Sequence, residues 1–263
     1  MPTALEFDTG LDLRISDTAL TFEYGPGMFG PQPEMRRLDA IRPSLLDPNC
    51  SGPDPVYGIA MDIGREQDRR SLERRMLLFG AVIYAAGSLG DEPVRSQGHI
   101  HAIAGHSGWS PPEIFEIWSG TAIIYAQERA EDDPGRCFAI TARAGEQVVV
   151  PPGWAHCVIN ADRHCRMAFG AWCDRQYGFD YCGVRAHRGL AWFPMFGAND
   201  AIEWTPNPHY LPSTLEQRNP RDYARLGLDS RRSLYRQYLD DPESIMFVPE
   251  PERAAKEWAS FTP

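Results

Sequence analysis

At 263 residues, with 43% apolar and 24% charged residues, the chain has the composition of a globular protein, long enough for one large or two small domains around a substantial core. A formal net charge of −10 and a pI near 5.2 argue against a nucleic-acid partner, because phosphate-backbone binders carry basic patches and no such run is written here. The longest apolar stretch, Met76 to Gly87, is too short to span a bilayer, and the acidic amino terminus lacks the basic and apolar regions of a secretory signal, so a cytoplasmic protein without membrane contact is expected.

Residues 1–35 are rich in Gly, Pro and Phe, and their short strand candidates LDLRI and ALTFEY predict an arm lying across a sheet. Arg36 to Asp47 allows at most a short helix, because Pro43 interrupts it. The turn PNCSGPDP then leads into a strand, VYGIAMDI. Asp68 to Arg75 reads as a solvated charged connection, with its arginines a lesser candidate for meeting an anionic substrate. From Arg75 the pattern is continuously β: RMLLFGAVIYAA, SQGHIHA, EIFEIWSG, TAIIYAQE, RCFAITA, EQVVVPP, AHCVIN and RMAFGAWC, separated by short regular turns. Such spacing predicts a sandwich or barrel, and strands in this number close an antiparallel jelly roll.

The insert AIAGHSGWSPP, after His101, reads as a loop at the barrel mouth, in which His106 is either a spare ligand or an ordinary exposed histidine. After Pro194 the alternation gives way to a rough helical spacing at Tyr223, Leu226, Leu228, Leu234, Tyr235 and Tyr238, interrupted by Gly227. Residues 1–195 are therefore read as the barrel with its arm, and 196–263 as a partly helical extension packed outside it. A last short helix is expected from Pro251, docking Trp258 on the body. The six cysteines, at 50, 137, 157, 165, 173 and 182, contain no C-x-x-C pair and read as reduced, buried small hydrophobes.

The chemistry concentrates between His99 and Asn160. His99 and His101 stand two apart, which on a strand puts both imidazoles on one face. Glu113 and His156 would complete a mixed nitrogen and oxygen set suited to one divalent Fe, Mn, Zn or Ni ion per chain. A lone His-x-His pair is as readily a surface feature. Here, however, the chain also reads G-x5-P-x-G-x2-H-x3-N through Gly145, Pro151, Gly153, His156 and Asn160, and E-x6-G from Glu113 to Gly120. These resemble the two halves of the cupin signature, which implies an all-β jelly-roll barrel with His99, His101, Glu113 and His156 as ligands; a barrel that merely retains histidines is the alternative.

The resemblance extends further. PVYGIAM, LLFGAVIYAAG, GHIHA, the pair Glu113 and Phe115, VVVPPGWAHCVIN, and GFDYCGV from Gly178 to Val184 occur in the same order as in the cupin-type glucose-6-phosphate isomerases of archaea and some bacteria, over residues 10–195. That resemblance implies a metal-dependent interconversion of glucose 6-phosphate and fructose 6-phosphate, with Tyr57, Ser96, Gly98 and Tyr181 near the sugar phosphate, Glu113 and Tyr181 as catalytic groups, and a homodimer. The chain departs from the family at Phe115, Val82, Gly153 and Phe179, where the family carries tyrosine, threonine, tyrosine and histidine, each exchange removing a polar group. Another metal-dependent cupin enzyme (an isomerase, epimerase or oxygenase) and a non-catalytic sugar-binding cupin are the competing expectations.

Overall fold

The computed structural model describes residues 3–263. Twelve of its strands position the site. In chain order they are β1 (Glu34–Arg36), β2 (Tyr57–Met61), β3 (Leu77–Tyr84), β4 (Ile100–His101), β5 (Glu113–Ser119), β6 (Thr121–Gln127), β7 (Cys137–Arg143), β8 (Gln147–Val150), β9 (Ala155–Asn160), β10 (Met167–Asp174), β11 (Phe179–Asp180) and β12 (Leu215–Arg218). Among the described residues, six strands form one sheet in the order β8-β5-β10-β3-β2-β1, four form a second in the order β9-β6-β7-β12, and β4 pairs with β11 between them. This is the expected jelly-roll barrel, antiparallel except where β12 joins β7.

Both faces of the six-stranded sheet are covered, which explains why β3 and β10 are buried at every position rather than alternating. Leu78, Val82 and Tyr84 point inward with Phe115, Ile117, Ile124, Phe138, Val158 and Phe169 to fill the barrel. Their neighbours Phe79, Ala81 and Ile83 point outward and meet Leu11, Leu13, Ile15 and Phe22 of the amino-terminal arm. The same outer face receives Tyr223, Leu226, Leu234, Tyr235 and Tyr238 from the carboxy-terminal region. Tyr235 stacks on Trp172 with ring centroids 5.7 Å apart, and its hydroxyl accepts from Arg65 N–H at 3.0 Å.

The carboxy-terminal region is only partly helical, and it begins as strand. Ile202–Pro206 pairs with Trp192–Phe196, and β12 adds in parallel to β7. The spacing from Tyr223 to Tyr238 resolves into a single 3-10 turn, Ala224–Leu226, and the helix Leu234–Asp240. Gly227, left-handed at φ +85°, ends the first piece. The short helix after Pro251 forms, and Trp258 packs against Phe247 while donating to Pro251 O at 2.7 Å. All six cysteines are free thiols, and no helix among the described residues is long and apolar enough to cross a membrane.

Candidate metal centre

The candidate ligands come together because two distant backbones exchange hydrogen bonds. His99 N–H donates to His156 O at 3.0 Å and His156 N–H donates to His99 O at 2.9 Å, an isolated antiparallel bridge that sets their rings 4.4 Å apart. His101, two residues on, lies 5.0 Å from His156 by ring centroid. Glu113, the first residue of β5, places Oε2 at 3.3 Å from His101 Nε2 and 3.2 Å from His156 Nε2. One ligand atom from each of the four lies within 4.8 Å of all the others.

The surroundings select the nitrogens. His101 Nδ1 donates to Pro111 O at 2.9 Å and His156 Nδ1 donates to Trp154 O at 3.1 Å, so each ring presents Nε2 toward Glu113. His99 Nε2 is buried without a hydrogen-bond partner among the described residues. A buried acceptor left unpaired is costly, and ligation of a cation would repay that cost, so the donor set fits a divalent metal ion. Burial, reinforced by the other two imidazoles, pushes His99 well below the usual imidazole range and keeps it a neutral lone-pair donor. Burial would raise Glu113, but hydrogen bonds from His101 and His156 outweigh it and hold the carboxyl well below the usual range. Burial also disfavours charge on His101, yet the Glu113 carboxylate wins and lifts it.

His99, Glu113 and His156 line a cavity together with polar Arg36, Tyr57, Tyr84, Ser96 and Tyr181 and apolar Ile59, Met61, Val82, Phe115, Phe169 and Phe179. Tyr57 stacks on Tyr84 at 4.8 Å, Ser96 Oγ accepts from Val158 N–H at 3.1 Å, and Tyr181 stands edge-on to His99 at 6.1 Å. Burial raises the phenols of Tyr57 and Tyr181, so both are protonated at neutral pH.

Several residues singled out in the sequence lie outside the cavity lining. Gly98 does not line the cavity: it adopts φ +90°, and a Cβ there would run into Leu190 at 2.8 Å, so backbone geometry and packing account for the glycine. Gly153 lies in the turn before β9, outside the cavity lining, at φ +77°. His106 is not a spare ligand, and neither it nor Ser107 of the same loop lines the cavity. His106 is engaged by Gln176 Oε1, Pro249 O and Asp174 Oδ2, and Ser107 Oγ accepts from Trp109 N–H. The arginines of 69–75 turn outward, Arg69 over the Phe29 ring and Arg75 onto Glu243.

Tyr84, Cys173 and Arg36 are among the lining residues that the sequence did not single out. Tyr84 shares inward parity with Val82 on β3, and that signal was available. Cys173 does more than fill the core, because its thiol donates to Glu113 Oε1 at 3.1 Å. Arg36 had no local signal, because it reaches the cavity only through the pairing of β1 with β2.

The family model for glucose-6-phosphate isomerase (GPI) matches residues 45–209. Among solved structures, the chain is similar to a recombinant oxalate oxidase in complex with glycolate, at 17% identity over 46% of this chain and 52% of that one, TM-score 0.35. It is similar also to oxalate decarboxylase from Bacillus subtilis, at 14% identity over 50% of this chain and 28% of that one, TM-score 0.35. Vicilin from Corylus avellana (hazelnut) is similar at 12% identity over 48% of this chain and 32% of that one, TM-score 0.35. The chain spans about half the length of the first oxalate oxidase it matches. No curated protein matches it.

Proposed function

This chain belongs to the glucose-6-phosphate isomerase family, and from that premise we propose that it is a metal-dependent aldose–ketose isomerase interconverting glucose 6-phosphate and fructose 6-phosphate. The observation that carries the reading is the convergence of His99, His101, Glu113 and His156, with His99 Nε2 unpaired, at a cavity whose lining also carries tyrosine and serine hydroxyls and the Arg36 guanidinium. A divalent ion held by these four side chains would supply Lewis acidity toward the C1 and C2 oxygens of the open-chain sugar. The protein's own part is binding and proton handling. Tyr181 Oη, protonated at neutral pH, donates to a substrate oxygen, as does Tyr57. Glu113, held ionised, is the base that moves the proton between adjacent carbons. Phe179, edge-on to His99 at 4.5 Å, and Phe115, edge-on to His156 at 6.0 Å, wall the imidazoles off from water.

A coupled assay with fructose 6-phosphate on Mn- and Fe-loaded protein tests the reading, with Glu113→Gln as control. Metal-dependent turnover that the control loses supports it; absence of turnover in every metal form overturns it. The small cavity volume of about 60 Å³ and the apolar walls favour a second reading, another metal-dependent cupin enzyme acting on a smaller, less hydroxylated substrate. A substrate panel with product analysis separates the two.

A further inference from the structure

Among the described residues, Arg36 is the one arginine or lysine lining the cavity. It ends β1, at the edge of the six-stranded sheet, directly across from Tyr57. Its guanidinium lies close to the phenols of Tyr57 and Tyr181, neutral groups that solvate the charge without cancelling it. The carboxylate it pairs with is Glu34, two residues earlier on the same face, whose side chain is 68% exposed against 26% for Arg36. An ion pair with so exposed a member is screened by water, and Glu34 can turn to solvent at little cost.

Neighbouring arginines are committed elsewhere. Arg175 forks onto Asp62 at 2.7 and 2.8 Å, Arg95 is buried against Glu92 at 2.7 Å, and Arg185 donates to Gln97 while covering the Tyr181 ring. Arg36 is thus a cation on the cavity wall whose counter-ion is replaceable.

We propose that Arg36 receives the anionic group of the substrate, and that Glu34 holds the guanidinium in position until that group displaces it. The proposal rests on the isomerase reading for the identity of that group, the phosphate of a phosphosugar. The planar guanidinium matches phosphate oxygens bidentately, and the apolar walls strengthen the contact. Tyr181 touches both ends, standing against His99 on one side and near Arg36 on the other, so a molecule anchored at Arg36 extends across Tyr181 toward the metal cluster. A neutral sugar gains no charge-assisted contact with Arg36, and the site therefore favours the phosphorylated substrate.

The test compares metal-loaded wild type with Arg36→Met, Arg36→Lys and Glu34→Gln. Inorganic phosphate binding is followed by isothermal titration, and KM and kcat by the coupled fructose 6-phosphate assay. Arg36→Met is expected to raise the phosphate dissociation constant and KM roughly 10- to 100-fold while kcat stays within about threefold. Arg36→Lys should recover part of that loss, and Glu34→Gln should tighten phosphate binding a few-fold by removing the competing carboxylate. Phosphate affinity unchanged in both Arg36→Met and Glu34→Gln overturns the proposal, as does a fall in kcat at unchanged phosphate affinity. If wild type turns over no sugar phosphate but its phosphate affinity still depends on Arg36, the isomerase reading falls and the anion site stands. Glu34 is exposed, so Glu34→Gln keeps the test interpretable even if Arg36→Met folds poorly.

Discussion

The thiol of Cys173 donates to Glu113 Oε1 at 3.1 Å, while the carboxylate's other oxygen, Oε2, faces His101 and His156 at 3.3 and 3.2 Å. The hydrogen bond favours the carboxylate orientation that presents Oε2 to the cluster. Outer partners of this kind orient candidate ligands, and their loss typically costs about 10- to 100-fold in metal affinity. Cys173→Ala is expected to weaken metal binding roughly 10-fold in a chelator competition, with an unchanged circular dichroism spectrum, and Cys173→Ser to retain most of it. Equal affinity in Cys173→Ala would show that packing alone holds Glu113.

Metal content follows from the same cluster. Protein purified without chelator should carry close to one transition metal per chain, and His156→Ala should lose most of it. Metal that binds only the folded chain also stabilises it by mass action, so chelation should lower the melting temperature of wild type and leave that of His156→Ala nearly unmoved. Elemental analysis and thermal melts check both; equal metal in the two proteins would remove the site.

Glu116, fully buried outside the barrel, accepts from Leu234 N–H at 2.6 Å and from Trp118 Nε1 at 3.0 Å, tying the helix Leu234–Asp240 to the sheet. Burial outweighs these hydrogen bonds and pushes its carboxyl from 4.5 up to about 7. The folded state therefore binds a proton that the unfolded chain releases near pH 4.5, and this contribution to stability is fully present below that pH and is lost as pH rises through 7. The amount at stake is on the order of 3 kcal/mol. Between pH 5 and 8 the melting temperature should fall more steeply in wild type than in Glu116→Gln, and parallel slopes would contradict the assignment.

Arg95 and Glu92 form an ion pair with both side chains buried, and Arg95 also donates to Ser96 O at 3.0 Å and to Ser44 O, joining the segment before β2 to the barrel. Removing one partner strands a buried charge. Arg95→Met is expected to cost about 3–5 kcal/mol in denaturant unfolding, whereas the double replacement Arg95→Met with Glu92→Leu should cost clearly less. If the double variant is as unstable as the single one, the cost lies in lost packing and not in the orphaned carboxylate.

Phe179 stands where the resembled family carries a histidine, and its edge-on contact with His99 offers no proton. A positioned acid or base is worth about 10²–10⁴-fold in rate. Isomerisation of fructose 6-phosphate is therefore expected to be slow in wild type and faster in Phe179→His at equal metal content. A rate in Phe179→His at or below wild type would show that the missing imidazole is not what limits turnover.

The sequence by itself determined those features that depend on local conformation. Apolar runs bounded by turn residues set the strands, residue parity put His99 and His101 on one face, Pro151 to Gly153 marked the turn before His156, and the order of the motifs pointed to the jelly roll. Only the tertiary structure decided which distant groups meet. Arg36 enters the cavity because β1 pairs with β2, and Cys173 reaches Glu113 because β5 and β10 are neighbours. His106 is drawn away by Asp174 and Pro249, and residues 215–218 become a barrel strand by pairing with β7. Period and turn chemistry are written in a few consecutive residues, whereas the adjacency of strands tens of residues apart is settled by the mutual burial of their faces, to which every segment of the chain contributes.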